Sequence, residues 1–165
     1  MKVLLLAGGL GTGLREETEY RPKPMVPIGE QPILWHIMKY FSIFGFNDFI
    51  IATGYKGNVI ADYFLNYDVN RSDFTVTLGK KETLVIQDQN PQEEWQVTIA
   101  HTGAETLTGG RLLKCRKYLE TETFMVTYGD GLADIDISAL LKHHHASGKL
   151  ATISATRPLS RFGTE

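Results

Sequence analysis

Hydrophobic positions along this chain switch between two periods. Val3-Leu4-Leu5-Leu6-Ala7 is a continuous apolar run, short enough for a buried strand over residues 2–7. Residues 32–44 then set Ile33, Leu34, Ile37, Met38 and Phe41 at helical spacing, predicting an amphipathic helix with these side chains inward. A second short apolar run predicts a buried strand over 48–53, and residues 58–67 predict a helix with Val59, Ile60, Tyr63 and Phe64 on one side. Next comes a β-rich stretch, Phe74–Leu78, Thr83–Gln87 and Trp95–His101, separated by polar turns. Within it, 67–95 reads as a β insertion. A helix from about Gly110 to Leu119 leads into a strand over Phe124–Tyr128, and a helix over 137–147 leads into a strand over 151–156. Strands alternating with helices predict an α/β fold: a Rossmann-like, mostly parallel sheet with helices on both faces, as a single domain over 1–165. No repeat, low-complexity tract or linker interrupts it.

Composition narrows the classes of function. At 165 residues the chain is long enough for one domain with a real core. A net charge of −2 gives no reason to expect nucleic acid or an anionic membrane as partner. The single cysteine, Cys115, cannot form an intrachain disulfide, which fits a reducing compartment. No apolar run approaches the length of a transmembrane helix, and residues 1–7 show no signal-peptide pattern, so the expected location is the cytoplasm.

The most informative stretch lies where the first strand ends. It empties into Gly8, Gly9, Gly11 and Gly13, a loop of bare backbone N–H groups suited to phosphate. Two familiar phosphate loops fail on a required residue. Leu14 and Arg15 stand where a P-loop needs Lys and Ser/Thr, and a dinucleotide fingerprint beginning at Gly9 would put its last glycine at Leu14. Downstream, Pro22-Lys23-Pro24 holds a lysine between two prolines that restrict its backbone. A cation fixed near a phosphate nest is the beginning of a reaction centre. Asp130 ends a predicted strand between Gly129 and Gly131, where it suits either a metal ligand facing a cleft or a simple Gly-Asp-Gly turn. Arg111 opens a helix behind Gly109 and Gly110, as an anion contact or an exposed helical residue. Asp134 and Asp136 suit a cap for the helix near Ile137. His143-His144-His145 is read as a solvated helix face, because consecutive helical residues diverge and cannot converge on one ion.

Gly8-Gly9-Leu10-Gly11-Thr12 followed by Lys23-Pro24 resembles the signature of the sugar-1-phosphate nucleotidyltransferases. The finer resemblance is to their cytidylyl branch, the glucose-1-phosphate cytidylyltransferases. It rests on Leu14 with Glu16-Glu17-Thr18, Pro22-Lys23-Pro24-Met25-Val26, Pro32-Ile33-Leu34-Trp35-His36-Ile37, Gly54-Tyr55-Lys56-Gly57, Thr108-Gly109-Gly110-Arg111-Leu112 and Thr127-Tyr128-Gly129-Asp130-Gly131. These blocks keep the family's order along nearly the whole chain. The resemblance implies CTP and glucose 1-phosphate as substrates, CDP-glucose and pyrophosphate as products, Mg²⁺ as cofactor and a homo-oligomer as the assembly. It implies catalytic roles for Lys23 and Asp130, with Asp130 on the metal. It implies nucleotide contacts from Leu6, Ala7, Gly8, Gly9, Leu10, Gly11, Thr12, Gly13, Lys23, Thr106, Arg111 and Gly129, with Thr106 and Arg111 among those that recognise the base.

The chain also departs from that pattern. Gly13 stands where the family carries a catalytic arginine, and Arg15, two positions on, is a candidate substitute. His101-Thr102-Gly103 lacks the acidic residue usual before Thr-Gly. Arg161-Phe162-Gly163 resembles the family too, but the family's catalytic domain continues past it with a second metal-binding aspartate, a further lysine and much of the sugar pocket. The expectation is a C-terminally shortened member, as a truncated chain or a shortened gene product. Three functional readings stay open: a cytidylyltransferase, a nucleotide-binding pseudoenzyme, and an oxidoreductase-type dinucleotide domain that Leu14 disfavours.

Overall fold

The structure, a computed structural model, describes residues 1–9, 20–79, 81–87, 93–119 and 123–155. It resolves into two compact units, Met1–Leu132 and Ala133–Glu165. In the first, β1 (Lys2–Ala7), β4 (Asp48–Thr53), β7 (Gln96–His101) and β8 (Met125–Tyr128) form one sheet in the order β7-β4-β1-β8. Every pairing in it is parallel, in the register Leu5↔Ile51, Ile51↔Ile99 and Leu5↔Thr127. Helices α1 (Ile33–Ile43), α2 (Gly57–Leu65) and α3 (Thr108–Leu119) make the crossovers that parallel strands require. The chain steps outward from β1 to β4 to β7, then returns to the other side of β1. Right-handed connections therefore put α1 and α2 on one face and α3 on the other.

The two central strands, β1 and β4, are buried on both faces, which explains their unbroken apolar runs, while the outer strands β7 and β8 keep exposed positions. Leu4, Leu6, Ile50, Ala52 and Ala100 form one cluster with Cys115 and Leu119 of α3. Val3, Leu5, Phe49 and Ile51 alternate to the opposite face, where Phe49 meets Trp95, and Trp95 meets Trp35 of α1. The inward face of α1 is Leu34, Ile37, Met38 and Phe41, as its spacing predicts, with Ile33 half-buried.

Several boundaries differ from expectation. Helix α3 begins at Thr108, so Gly109 and Gly110 lie inside its first turn instead of preceding it. Helix α2 buries only Ile60 of its four expected apolar positions. Tyr63 instead joins Tyr67 around Arg71, whose guanidinium carbon sits 3.8 Å from the Tyr67 ring centroid and whose Nη2 donates to Gln31 Oε1 at 2.7 Å. Among the described residues the insertion contains one antiparallel hairpin, β5 (Phe74–Thr77) with β6 (Thr83–Ile86), while β7 belongs to the main sheet. A short antiparallel pair, β2 (Pro27–Ile28) with β3 (Gln31–Pro32), has no counterpart in the sequence reading.

In the second unit, α4 (Ile137–Ser147) has the predicted bounds. Asp136 caps it, accepting from the Ala139 amide at 2.9 Å, and Gly148 ends it in the left-handed region at φ 60°. Residues 151–155 form no strand: a strand exists only through a pairing partner, and this segment pairs with none among the described residues. It is tied back to α4 instead, with Thr152 Oγ1 2.9 Å from His144 Nδ1. His143 and His145 are exposed.

Candidate active site

Strand order reverses between β1 and β8, and in sheets of this kind ligands bind outside the carboxyl ends of the strands at such a reversal. A cleft of about 280 Å³ lies there. Its floor is the end of β1 and the loop after it, Leu6, Ala7, Gly8 and Gly9. One wall comes from Lys23 and Pro24, another from Tyr128 at the end of β8 and Asp130 just after it, and a third from Thr106, Leu107, Thr108 and Arg111 at the start of α3.

Lys23 is held where the sequence predicts. Pro22 and Pro24 are buried, and Lys23–Met25 forms a 3₁₀ turn closed by Met25 N–H donating to the Pro22 carbonyl at 2.8 Å. The Lys23 ammonium meets the Asp130 carboxylate at 2.9 Å. Both side chains are about a third exposed, so the pair sits at the solvent-accessible mouth of the cleft and contributes little to stability. Its interest is chemical: the two predicted catalytic residues, 107 positions apart in sequence, are brought face to face. Gly129 lies behind them, its amide donating to the Leu6 carbonyl at 2.9 Å, and a Cβ there would stand 3.2 Å from Ala7 Cβ. A side chain at this position would need Ala7 to give by a few tenths of an ångström.

Gly8 and Gly9 are glycines for different reasons. A Cβ at Gly9 would meet nothing within 4 Å, so that residue borders open space. A Cβ at Gly8 would collide with the Arg111 guanidinium. Arg111 is only 5% exposed, and its position turns the guanidinium onto the strand ends. Its Nη2 donates to the carbonyls of Gly8 at 2.8 Å and Ala104 at 3.2 Å, and its Nη1 to those of Gly103 at 2.9 Å and Thr53 at 3.1 Å. Nη1 also donates to the Thr102 hydroxyl. None of these acceptors is a carboxylate, and burial lowers the Arg111 pKa from its ordinary value. Thr106 packs beside this cluster, its hydroxyl donating to the Thr102 carbonyl at 2.6 Å and accepting from Lys114 at 3.1 Å.

Of the predicted site, Leu6, Ala7, Gly8, Gly9, Lys23, Thr106, Arg111 and Asp130 line one cleft, and Gly129 lies directly behind it. Leu10, Gly11, Thr12, Gly13, Arg15 and Glu16-Glu17-Thr18 fall outside the described residues. Pro24, Leu107, Thr108 and Tyr128 line the cleft without having been singled out as site residues, although each stands inside or beside a quoted block. For a metal, Asp130 offers one hard carboxylate oxygen set facing a lysine suited to phosphate, which fits a Mg²⁺ site completed by phosphate oxygens and water. Among the described residues no group of three His, Cys, Asp or Glu is placed to hold an ion.

A glycine-floored cleft at the switch point of a parallel sheet, with a lysine and a carboxylate at its mouth, is an arrangement of an α/β protein suited to a phosphate-bearing ligand. The chain belongs to the nucleotidyl transferase family, whose pattern matches residues 2–164. It is similar to the glucose-1-phosphate cytidylyltransferase of Salmonella typhimurium, 51% identical over 164 residues, which are 99% of this chain and 63% of that protein. It is 43% identical over the same length to the probable glucose-1-phosphate cytidylyltransferase of Bacillus subtilis, again over 63% of that protein. The chain thus spans less than two thirds of the length of these relatives. In structure it resembles HddC from Yersinia pseudotuberculosis complexed with GMP-PN, at TM-score 0.63 and 27% identity, over 87% of this chain and 53% of that one.

Proposed function

We propose that this chain carries the nucleotide-binding part of a glucose-1-phosphate cytidylyltransferase, which makes CDP-glucose and pyrophosphate from CTP and glucose 1-phosphate. The observation that carries the reading is the meeting of Lys23 and Asp130, 2.9 Å apart at the mouth of the glycine-floored cleft. The choice of cytosine and glucose is taken from the names of the Salmonella and Bacillus relatives. In the reaction an oxygen of the sugar phosphate attacks the α-phosphorus of CTP. The bond from that phosphorus to the bridging oxygen breaks, and pyrophosphate leaves with the electron pair. Such chemistry asks the protein for positioning and charge neutralisation.

The Gly8 and Gly9 backbone faces the triphosphate, and Lys23 neutralises its oxygens as charge moves to the leaving group. Asp130 would hold Mg²⁺, and the ion would supply Lewis-acid withdrawal of charge from the phosphates. A homo-oligomer and a cytoplasmic location complete the proposal. No helix among the described residues is long and apolar enough to cross a membrane. The glycine at position 13 favours a second reading, nucleotide binding without turnover, since loss of a phosphate-neutralising arginine costs roughly 10³- to 10⁵-fold in related chemistry.

The test is pyrophosphate release from CTP and glucose 1-phosphate with Mg²⁺, against Asp130→Ala. Release that falls at least about 100-fold in the variant supports an enzyme acting through this cleft. CTP binding with no release in either protein selects the second reading, and release indifferent to Asp130→Ala contradicts the assignment of this site.

A further inference from the structure

Arg111 lies at the wall of the cleft, yet its Nη donors are already committed. Four Nη hydrogens serve five acceptors, which are the carbonyls of Gly8, Thr53, Gly103 and Ala104 and the hydroxyl of Thr102. These acceptors stand at the carboxyl ends of β1, β4 and β7, the three strands that end beside one another in register. The fold is shaped around this contact. A Cβ on Gly8 would overlap the guanidinium, and one on Gly54 would come within 2.6 Å of Nη1 and 2.5 Å of the Gly8 carbonyl. Two glycines at two strand ends therefore leave room for one arginine from α3.

Thr102 completes the arrangement from the side away from the cleft. It is 1% exposed and does not line the cleft. Its hydroxyl donates to the Thr53 carbonyl at 2.7 Å and accepts from Arg111, so it fixes both the guanidinium and the carbonyl the guanidinium holds.

We infer that Arg111 and Thr102 are positioning residues: together they clamp the Gly8 carbonyl and thereby set the direction of the Gly9 backbone donor for phosphate. The inference deepens the proposed function and rests on it, because it concerns how the same cleft receives the triphosphate. A peptide unit is planar, so holding the Gly8 carbonyl at 2.8 Å also fixes the Gly9 amide that shares its plane. Preorganised donors bind an anion without first being ordered, and a loosened clamp returns that cost at the moment of binding. The phosphate portion of the ligand should feel the clamp, and the base should not.

The experiment measures binding of CTP, UTP and inorganic tripolyphosphate by calorimetry, well below the melting temperature of each protein. Thr102→Val keeps the shape of the buried side chain and removes the hydroxyl. It should weaken CTP and tripolyphosphate alike, by about tenfold, the effect of one hydrogen bond to a charged group. The CTP-to-UTP affinity ratio should stay as in the unaltered protein, and Thr102→Ser should restore binding. Arg111→Lys, which cannot reach all five acceptors from one nitrogen, should weaken tripolyphosphate binding at least as much. Wild-type tripolyphosphate affinity in both Thr102→Val and Arg111→Lys overturns the inference. So does a changed CTP-to-UTP ratio with tripolyphosphate binding unaltered, which would make Arg111 a contact for the base. Failure of the unaltered protein to bind any of the three would instead contradict the proposed function, and the inference would fall with it.

Discussion

The strand ends at the cleft and the β5–β6 hairpin are both built from apolar stretches with strand-like spacing, yet they obey different constraints. At the strand ends Arg111 is buried against four carbonyls and a hydroxyl, and a Cβ on Gly8 or Gly54 would overlap its guanidinium. In the hairpin Phe74, Val76, Leu84 and Val85 are each about half exposed, and Leu78 more so. Phe74 pairs with Ile86 and Val76 with Leu84, which puts these four on one side of the ribbon. A two-stranded ribbon is marginal alone, whereas the central strands β1 and β4, buried on both faces, form the core of the unit. Equal hydrophobicity thus has unequal consequence. What decides it is whether long-range contacts close over the segment.

Truncation separates the two regions most sharply. Leu4→Ala, at a fully buried position, should cost about 2–5 kcal/mol in denaturant unfolding. Leu84→Ala in the hairpin should change the same measurement by less than about 0.5 kcal/mol. Equal losses would mean that the hairpin belongs to the cooperative core and would break the contrast.

A smaller effect probes the root of the hairpin, where Tyr63 donates to Gln31 at 2.8 Å and accepts from Arg71 at 2.9 Å. Burial is the main reason its phenol is pushed from 10.0 up to about 12. The unfolded chain releases this proton first. The stabilisation is therefore fully present below pH 10 and is lost as pH rises through about 12. Tyr63→Phe should flatten that alkaline fall in the unfolding midpoint. An equally steep fall in the variant would show that this hydroxyl is not held protonated by the fold.

How much of this was legible in the sequence follows the same division. The runs at 2–7 and 48–53 and the spacing of α1 betray themselves because local pattern and burial agree there. Lys23 and Asp130 were legible as residue types that suit phosphate and metal, and the structure brings the two together at 2.9 Å. The clamp was not legible. Arg111 reaches Gly8 across 103 positions, and nothing near either residue in sequence records that contact. A local reading ascribes Gly8 to a ligand's approach and gives no sign that a Cβ there would also collide with the Arg111 guanidinium. Residues 151–155 show the opposite failure: β-favouring composition predicts a strand, but a strand is a relation between segments, and none among the described residues pairs with this one. Tyr128 and Leu107 read as ordinary strand and loop residues, and only the meeting of β8 with the start of α3 puts them on the cleft.

The most direct test of the account is amide shift mapping by NMR as CTP is added with Mg²⁺. Shifts concentrated at Gly8, Gly9, Lys23, Leu107, Thr108 and Asp130, with residues 74–86 unmoved, are the predicted result. Shifts centred on the hairpin, or scattered with Gly9 and Asp130 silent, would contradict the assignment of the switch-point cleft as the nucleotide site.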